Sequence, residues 1–316
     1  PDNISSYWKL DEAAGPAYAD FISDNNGTGT ANVTAVDGIV NGAQEFNGLD
    51  TQINVPADRS FDWYADESFS IEYWIKKDAP SGALEIAVGR DDATSQLQWW
   101  TGLSSDGKAS FILRAKDNSG AAGDVLLGVG PVIADGDWHH VVAVRDGEGG
   151  KNILYVDGVQ VGNPDVTYTD GFDSTTSALN IGWLNLDPFY YFEGALDEIA
   201  LYDRALPLSE IEQHYEDGLL GIGIDDTDTV GGTAEIIATY SSGIWYWDLA
   251  ASKWTRMTSS STDGDIAAGD FSGDGKADVA SIWSSGLWYQ DGATLDFARI
   301  DKTPPNNLTA GDVSGD

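Results

Sequence analysis

Between Ser68 and Ile75 the chain alternates: Phe69, Ile71, Tyr73 and Ile75 fall on one face, Ser68, Ser70, Glu72 and Trp74 on the other. A period of two is the pattern of a strand with one face against a core. Shorter runs of similar character occur at 7–10, 52–55, 84–88, 97–103, 109–113, 125–129, 138–144, 153–156, 159–161, 178–183 and 195–202, divided by Gly, Asn and Asp. Asp157-Gly158 is a two-residue hairpin signal, because both residues tolerate the positive φ that a tight turn needs. Many short strands without intervening amphipathic helices predict an all-β, two-sheet antiparallel sandwich. One helix is predicted, over 207–216. Pro207 suits its first turn, Leu208, Ile211 and Tyr215 share a face, and Gly218 ends it.

An acidic, Gly-bearing stretch at 221–228 predicts a boundary between a domain over 1–220 and a second region over 221–316. There the pattern repeats: 234–246 returns as 277–289, an offset of 43 residues. Each unit reads as strand, Ser-Ser-Gly turn and aromatic strand, with a third strand after it. Strand-built units of about 40–50 residues predict β-propeller-type repeats, here incomplete. The repeat carries an acidic loop. Asp270, Ser272, Asp274 and Asp278 stand at its first, third, fifth and ninth positions, Gly275 at the sixth, and Lys276 at the seventh offers its carbonyl. Alternate oxygens around a sharp turn suit Ca2+, which takes six to eight oxygen ligands. The twelfth position is Ser281 rather than an acid, and the flanks are strands, so the loop is not an EF-hand. Over 225–316 the sequence resembles the FG-GAP or VCBS-type calcium-binding repeat. That resemblance implies Asp270, Ser272, Asp274, Lys276 and Asp278 as ligands, with Asp312, Ser314 and Asp316 as a partial second copy.

Charge narrows the partners. The net charge is -36, with 16 Lys+Arg against 52 Asp+Glu. Phosphate binding needs clustered basic residues, so nucleic acid is excluded as a partner. No apolar run reaches the ~18–20 residues of a membrane span, so direct insertion is not expected. With no cysteine there is no disulfide, thiol nucleophile or cysteine-zinc site.

The first domain carries a further set of motifs. They are Tyr7-Trp8-Lys9-Leu10, Asp20 before an Asn25-Asn26-Gly27 turn, and the 42–48 segment Gly-Ala-Gln-Glu-Phe-Asn-Gly. The 69–75 segment through Trp74, Trp138-His139-His140-Val141-Val142, Leu154-Tyr155-Val156-Asp157-Gly158 and the 194–206 segment from Gly194 through Asp197-Glu198 to Leu206 complete the set. In this order, over 4–217, they resemble a laminin-G-like jelly roll of the concanavalin A-like lectin/glucanase superfamily. The resemblance implies a glycan- or protein-binding role and one structural Ca2+ held by Asp20, Asn25, the Gly27 carbonyl and Asp197. Trp8, Trp74 and Trp138 lie inside these motifs and are expected in the core. Trp63, Tyr64, Trp99, Trp100, Trp183, Tyr190 and Tyr191 lie outside them. Of these, Trp99, Trp100, Trp183, Tyr190 and Tyr191 are the candidates to stack on sugar rings, with core or rim packing as the alternative for each. Trp99 and Trp100 are adjacent on a strand and must face opposite ways, so at most one of them reaches a ligand.

Catalysis is not expected. Glycoside hydrolysis needs two carboxylates facing one cleft. Glu72 stands alone on its strand, and Asp197 and Glu198 face opposite ways. No nucleophile turn is recognisable. His139 and His140 point to opposite faces and are expected to be structural. The sequence thus predicts a non-catalytic, calcium-stabilised binding or adhesion module, secreted or at the cell surface, with a glycan or a surface protein as partner. An accessory carbohydrate-binding region of a larger polysaccharide-degrading enzyme is the alternative, and a glycosidase in its own right is less favoured.

Overall fold

A computed structural model describes residues 3–30, 33–64, 66–92, 97–115, 125–165, 171–186, 190–224, 236–240, 243–248, 253–258, 266–269, 278–290 and 297–304. It divides into two units, Pro1–Ile224 and Asp225–Asp316.

The first unit is built from strands β1 (Ile4–Trp8), β2 (Ala17–Tyr18), β3 (Gly27–Gly29), β4 (Thr34–Asp37), β5 (Gly42–Asn47), β6 (Ile53–Val55), β7 (Phe69–Lys76) and β8 (Glu85–Asp92). They continue with β9 (Leu97–Leu103), β10 (Lys108–Ala115), β11 (Val125–Val132), β12 (Trp138–Asp146), β13 (Lys151–Val156), β14 (Val159–Asp165), β15 (Leu179–Ile181) and β16 (Glu193–Tyr202). A helix, α1 (Leu208–Leu219), follows. The strands form two eight-stranded antiparallel sheets. Sheet A runs β14-β13-β12-β7-β16-β5-β4, with β1 also paired to β16. Sheet B runs β11-β10-β9-β8-β15-β6-β3-β2. Between them lies one core in which Phe69, Ile71, Tyr73 and Ile75 of β7 meet Trp8, Phe46, Trp63, Trp99 and Phe111. The alternating face of β7 is thus the one that meets the intersheet core. Ser70, Glu72 and Trp74 on its other face are buried as well, beneath sheet A's outer covering, so the strand is not the half-buried one its period predicts.

The outer face of sheet A is half covered by α1. Ile211 is fully buried there against Val142, Val144, Tyr155 and Tyr202. The helix face is Ile211, His214, Tyr215 and Gly218, while Leu208 is exposed. Gly218 lies inside the last turn instead of ending the helix. A Cβ at Gly218 would overlap the Trp74 ring, so glycine here permits close docking. Trp74 is accordingly buried outside the intersheet core, stacked on Tyr215 at 5.8 Å. Strands β2 to β5 were not foreseen as strands. They are short and rich in Gly, Ala and polar residues, and their pairing rather than their composition makes them strands.

The second unit contains β17 (Ile236–Tyr240), β18 (Gly243–Asp248) and β19 (Lys253–Thr258) in one sheet. A second sheet joins β20 (Ile266–Gly269), β21 (Asp278–Trp283), β22 (Gly286–Gln290) and β23 (Phe297–Asp301). The repeat holds in three dimensions. Thr239 pairs with Ile244 and Trp245 with Arg256, as Ile282 pairs with Leu287 and Trp288 with Arg299. Arg256 lies over Trp245 at 5.6 Å and Arg299 over Trp288 at 5.5 Å, a matching cation–π contact in each copy. Asp270, Ser272, Asp274 and Lys276 of the acidic loop, and Asp312, Ser314 and Asp316, lie outside the described residues. Asp278 opens β21, paired with Gly269.

Candidate functional site

Alternation decides the fate of the tryptophan pair. Trp99 is fully buried between the sheets, with its ring 5.3 Å from that of Trp63, so it cannot meet a ligand. Trp100 points the other way, onto the outer face of sheet B. There it packs with Ile86, Ile112 and Leu184, flanked by Leu84, Leu186 and Tyr190. A groove of about 140 Å³ runs over this patch, bordered by Gln98 and by Leu127, which is 47% exposed. Trp100 itself is only 5% exposed and forms the floor.

The groove opens into a larger cleft at the end of the sandwich, about 460 Å³ in volume, with Leu84 and Tyr190 common to both. Its walls are aromatic on one side and polar on the other. Tyr190 and Tyr191 are both partly exposed. Tyr191 is stacked on Trp183 at 5.9 Å and 16°, and the Trp183 indole Nε1 donates to Asn54 Oδ1 at 3.1 Å. Trp183 therefore backs Tyr191 and does not itself face the cleft as a platform. Opposite, Asn47 Oδ1 accepts from the backbone N–H groups of Leu49, Asp50 and Thr51. This bonding fixes a tight turn that holds Leu49 out, 75% exposed.

The polar wall rests on a buried lysine. Lys77 Nζ contacts Glu85 Oε1 at 3.2 Å and Glu193 Oε2 at 3.2 Å, and donates to the Glu193 carbonyl. Glu85 Oε1 also accepts from Glu193 N–H, and Glu85 Oε2 from Ser81 Oγ. With both its oxygens and its cation partner fixed, Glu85 braces the mouth of the cleft. Asn47, Ser81 and Glu193 also border a trough of about 780 Å³ on the uncovered half of sheet A. A single cross-strand row, Thr34–Glu45–Ala195–Lys76–Trp138, spans five strands there. Trp138, expected in the core, is partly exposed and lines this trough, because it shares a face with Lys76 and α1 stops short of it. Nothing in the local sequence marks Lys77, Glu85, Asn47 or Glu193 as site residues. A Lys76-Lys77 pair at a strand end was the one available signal, since one of the two must turn inward.

The residues proposed for a structural cation take separate partners. Asp20 Oδ1 accepts from the N–H groups of Tyr7, Ile22 and Ser23, and its other oxygen from Ser23 Oγ. Asn25 Nδ2 lies 2.9–3.0 Å from the hydroxyls of Ser6, Ser23 and Ser60. Gly27 pairs with Tyr18 in sheet B. Asp197, on β16 in sheet A, accepts from Ile39 and Val40 N–H through Oδ2, while its buried Oδ1 has no partner. Among the described residues no three acidic or histidine side chains converge as a metal shell. The donor set fits a cation in part, through the free oxygen of Asp197. Burial, against bonds from Val40 and Ile39, pushes the Asp197 carboxyl up to about 8. Glu198 follows at positive φ, on a bulge that turns it the opposite way, onto the Tyr7 hydroxyl and Ile224 N–H. Its other oxygen is also unpartnered, and burial raises it to about 8.

The two histidines diverge as alternation requires. His139 contacts Asp157 at 2.8 Å and Asp135 at 3.1 Å. His140 contacts Glu72 Oε1 at 2.7 Å beneath α1. Glu72 also meets His214 at 3.0 Å and accepts from the Tyr202 hydroxyl at 2.9 Å. It is 1% exposed.

Residues 46–212, more than half of the chain, match the family model described as "Concanavalin A-like lectin/glucanases superfamily". No curated protein matches the chain in sequence. Among solved structures, the binding domain of Paraclostridial Mosquitocidal Protein 1 is similar at a TM-score of 0.55 and 14% identity, covering 95% of this chain and 68% of that one. Domain 4 of AbnA, an extracellular GH43 arabinanase of Geobacillus stearothermophilus solved with arabinotriose, is similar at 0.51 and 19%, covering 67% of this chain and 97% of that domain. Trypanosoma rangeli sialidase is similar at 0.51 and 16%, with 71% of this chain covered but only 34% of the sialidase.

Proposed function

The chain belongs to the concanavalin A-like lectin/glucanases superfamily, and from that premise we propose that its first unit is a non-catalytic, extracellular glycan-binding module whose ligand lies in the Tyr190–Tyr191 cleft. The observation that carries this reading is the pairing of two partly exposed tyrosines with a braced polar wall of Asn47, Ser81, Glu85 and Glu193. A sugar ring presents an apolar face to an aromatic and hydroxyls to polar neighbours, and the cleft offers both. Lys77 is already paired with two glutamates, and none of the described residues lining the cleft is basic, which disfavours an anionic ligand. A neutral, hydroxyl-rich oligosaccharide is the class that fits. The Trp100 groove extends the surface for a further residue of the chain.

A glycan array followed by calorimetry tests this. Tyr190→Ala and Tyr191→Ala each weaken binding about fivefold to tenfold, because an aromatic contact is worth about 0.5–1.5 kcal/mol. Absence of binding to any glycan, or binding that both substitutions leave unchanged, overturns it.

Two further elements belong to the proposal. Calcium bound through Asp197 stabilises the first unit, a reading supported by that residue's unpartnered buried oxygen. The module serves within a larger polysaccharide-degrading protein, a reading supported by its cover of 97% of an arabinanase domain solved with arabinotriose.

A further inference from the structure

We propose a second saccharide site at the opposite end of the sandwich, centred on Tyr64. It takes the same ligand class as the proposed function but does not depend on the Tyr190–Tyr191 cleft. β7 and β16 run from one end to the other. Glu193, at the start of β16, lines the first cleft, and Asp203, just past its end, lines the second. The ten residues of β16 at about 3.3 Å each set these two residues about 30 Å apart.

The pocket has a volume of about 360 Å³. Tyr64 stands at its mouth, 71% exposed, and its backbone is pinned where its N–H donates to Glu67 Oε2 at 2.8 Å. The preceding residue anchors it. Trp63 is 3% exposed, stacks on Phe69 at 3.9 Å and exchanges backbone hydrogen bonds with Phe172. Its buried indole Nε1 lies toward the Asp203 carboxylate, which lines the pocket. Arg59 and Asp173 also line the pocket, and their side chains have no partner among the described residues.

The chemistry of these groups selects the ligand. Glu67, Asp173 and Asp203 repel a uronate or phosphate. A lysine or arginine side chain has donors only and leaves Arg59 without an acceptor. A neutral diol both donates to carboxylates and accepts from a guanidinium, while the ring lies on Tyr64. Two such sites on one rigid module would bridge neighbouring glycan chains and raise avidity by effective concentration.

The test is ¹H–¹⁵N spectroscopy of the full chain, read at the Trp indole N–H signals, with Trp63 assigned from Trp63→Phe. Arabinotriose, cellotriose and chitotriose are the probes, and a Lys-rich peptide is the comparison. At least one trisaccharide is expected to move the Trp63 signal, in the parent and equally in the Tyr190→Ala/Tyr191→Ala variant. Tyr64→Ala, a change at an exposed position, weakens that response about tenfold. If Trp63 moves while the Trp100 and Trp183 signals stay still, the second site stands and the first reading fails. The inference is overturned if no trisaccharide moves Trp63, if only the peptide does, or if Tyr64→Ala changes nothing.

Discussion

Glu72 is held between His140, His214 and the Tyr202 hydroxyl. It is buried, and burial alone would raise its pKa. The His214 charge and the hydrogen bonds of His140 and His214 outweigh burial and hold its carboxyl far below the usual range. Burial pushes His214 down, but Glu72, Glu210 and Asp217 together raise it, and its net shift is upward. The Asp157 hydrogen bond, with help from Asp135, raises His139 to about 9. The sign follows from linkage. Both histidines bind protons more tightly when folded. Their stabilisation is full below about pH 6.5, the ordinary histidine value, and is lost above it, for His139 as pH climbs towards 9. Asp197 and Glu198, raised to about 8, also withdraw stability as pH rises from the ordinary carboxylate range. Glu72 acts in the opposite sense, losing its share only in acid. The melting temperature should therefore be lower at pH 9 than at pH 6, and His139→Gln should shrink that difference. His214→Ala, which strips a partner from a buried carboxylate, should cost about 3 kcal/mol in denaturant unfolding at pH 6. A flat pH profile, or a His214 variant of parent stability, would contradict this account.

At the scale of the element, α1 is the informative case. Its existence and its apolar residue Ile211 follow from the sequence, but its end does not. Glycine near a helix terminus ordinarily signals a stop. Here Gly218 is helical because the Trp74 ring fills the place of its side chain. Gly→Ala within a helix normally stabilises by about 0.5–1 kcal/mol. Gly218→Ala should instead destabilise by about 1–3 kcal/mol through overpacking, with a changed Trp74 fluorescence. A gain in stability would show that the helix is not held this tightly. The opposite sign makes the two accounts separable in one measurement.

For the whole molecule, the first unit closes at Ile224 rather than 220. Ile224 is 7% exposed against the outer face of sheet A, and its N–H meets Glu198 at 3.3 Å. A polypeptide ending at Ile224 should unfold cooperatively. One ending at Leu220 should lose about 1–3 kcal/mol, the worth of burying one such side chain. Calcium should raise the melting temperature of the full chain, because an ion bound only by the folded state stabilises it by mass action. Asp197→Asn should remove the part of that rise that belongs to the 1–224 polypeptide. A melting curve indifferent to chelator would count against every proposed calcium ligand.

Alternation along each strand told which side chains share a face, and the 43-residue recurrence told where the second unit repeats its pairing. Both are local properties, readable wherever the backbone period is regular. The opposition of Trp99 and Trp100 and the divergence of His139 from His140 were legible for that reason. Which face met the core, and which met solvent, depended on partners far away in sequence. Glu45, Ala195, Lys76 and Trp138 form one row only because β5, β16, β7 and β12 lie side by side. The pairing of Lys77 with Glu85 and Glu193, and the facing of Trp63 to Asp203, arise in the same way. Sequence fixes the period of a strand. Register and strand order, set by packing across more than a hundred residues, decide which side chains meet to make a site.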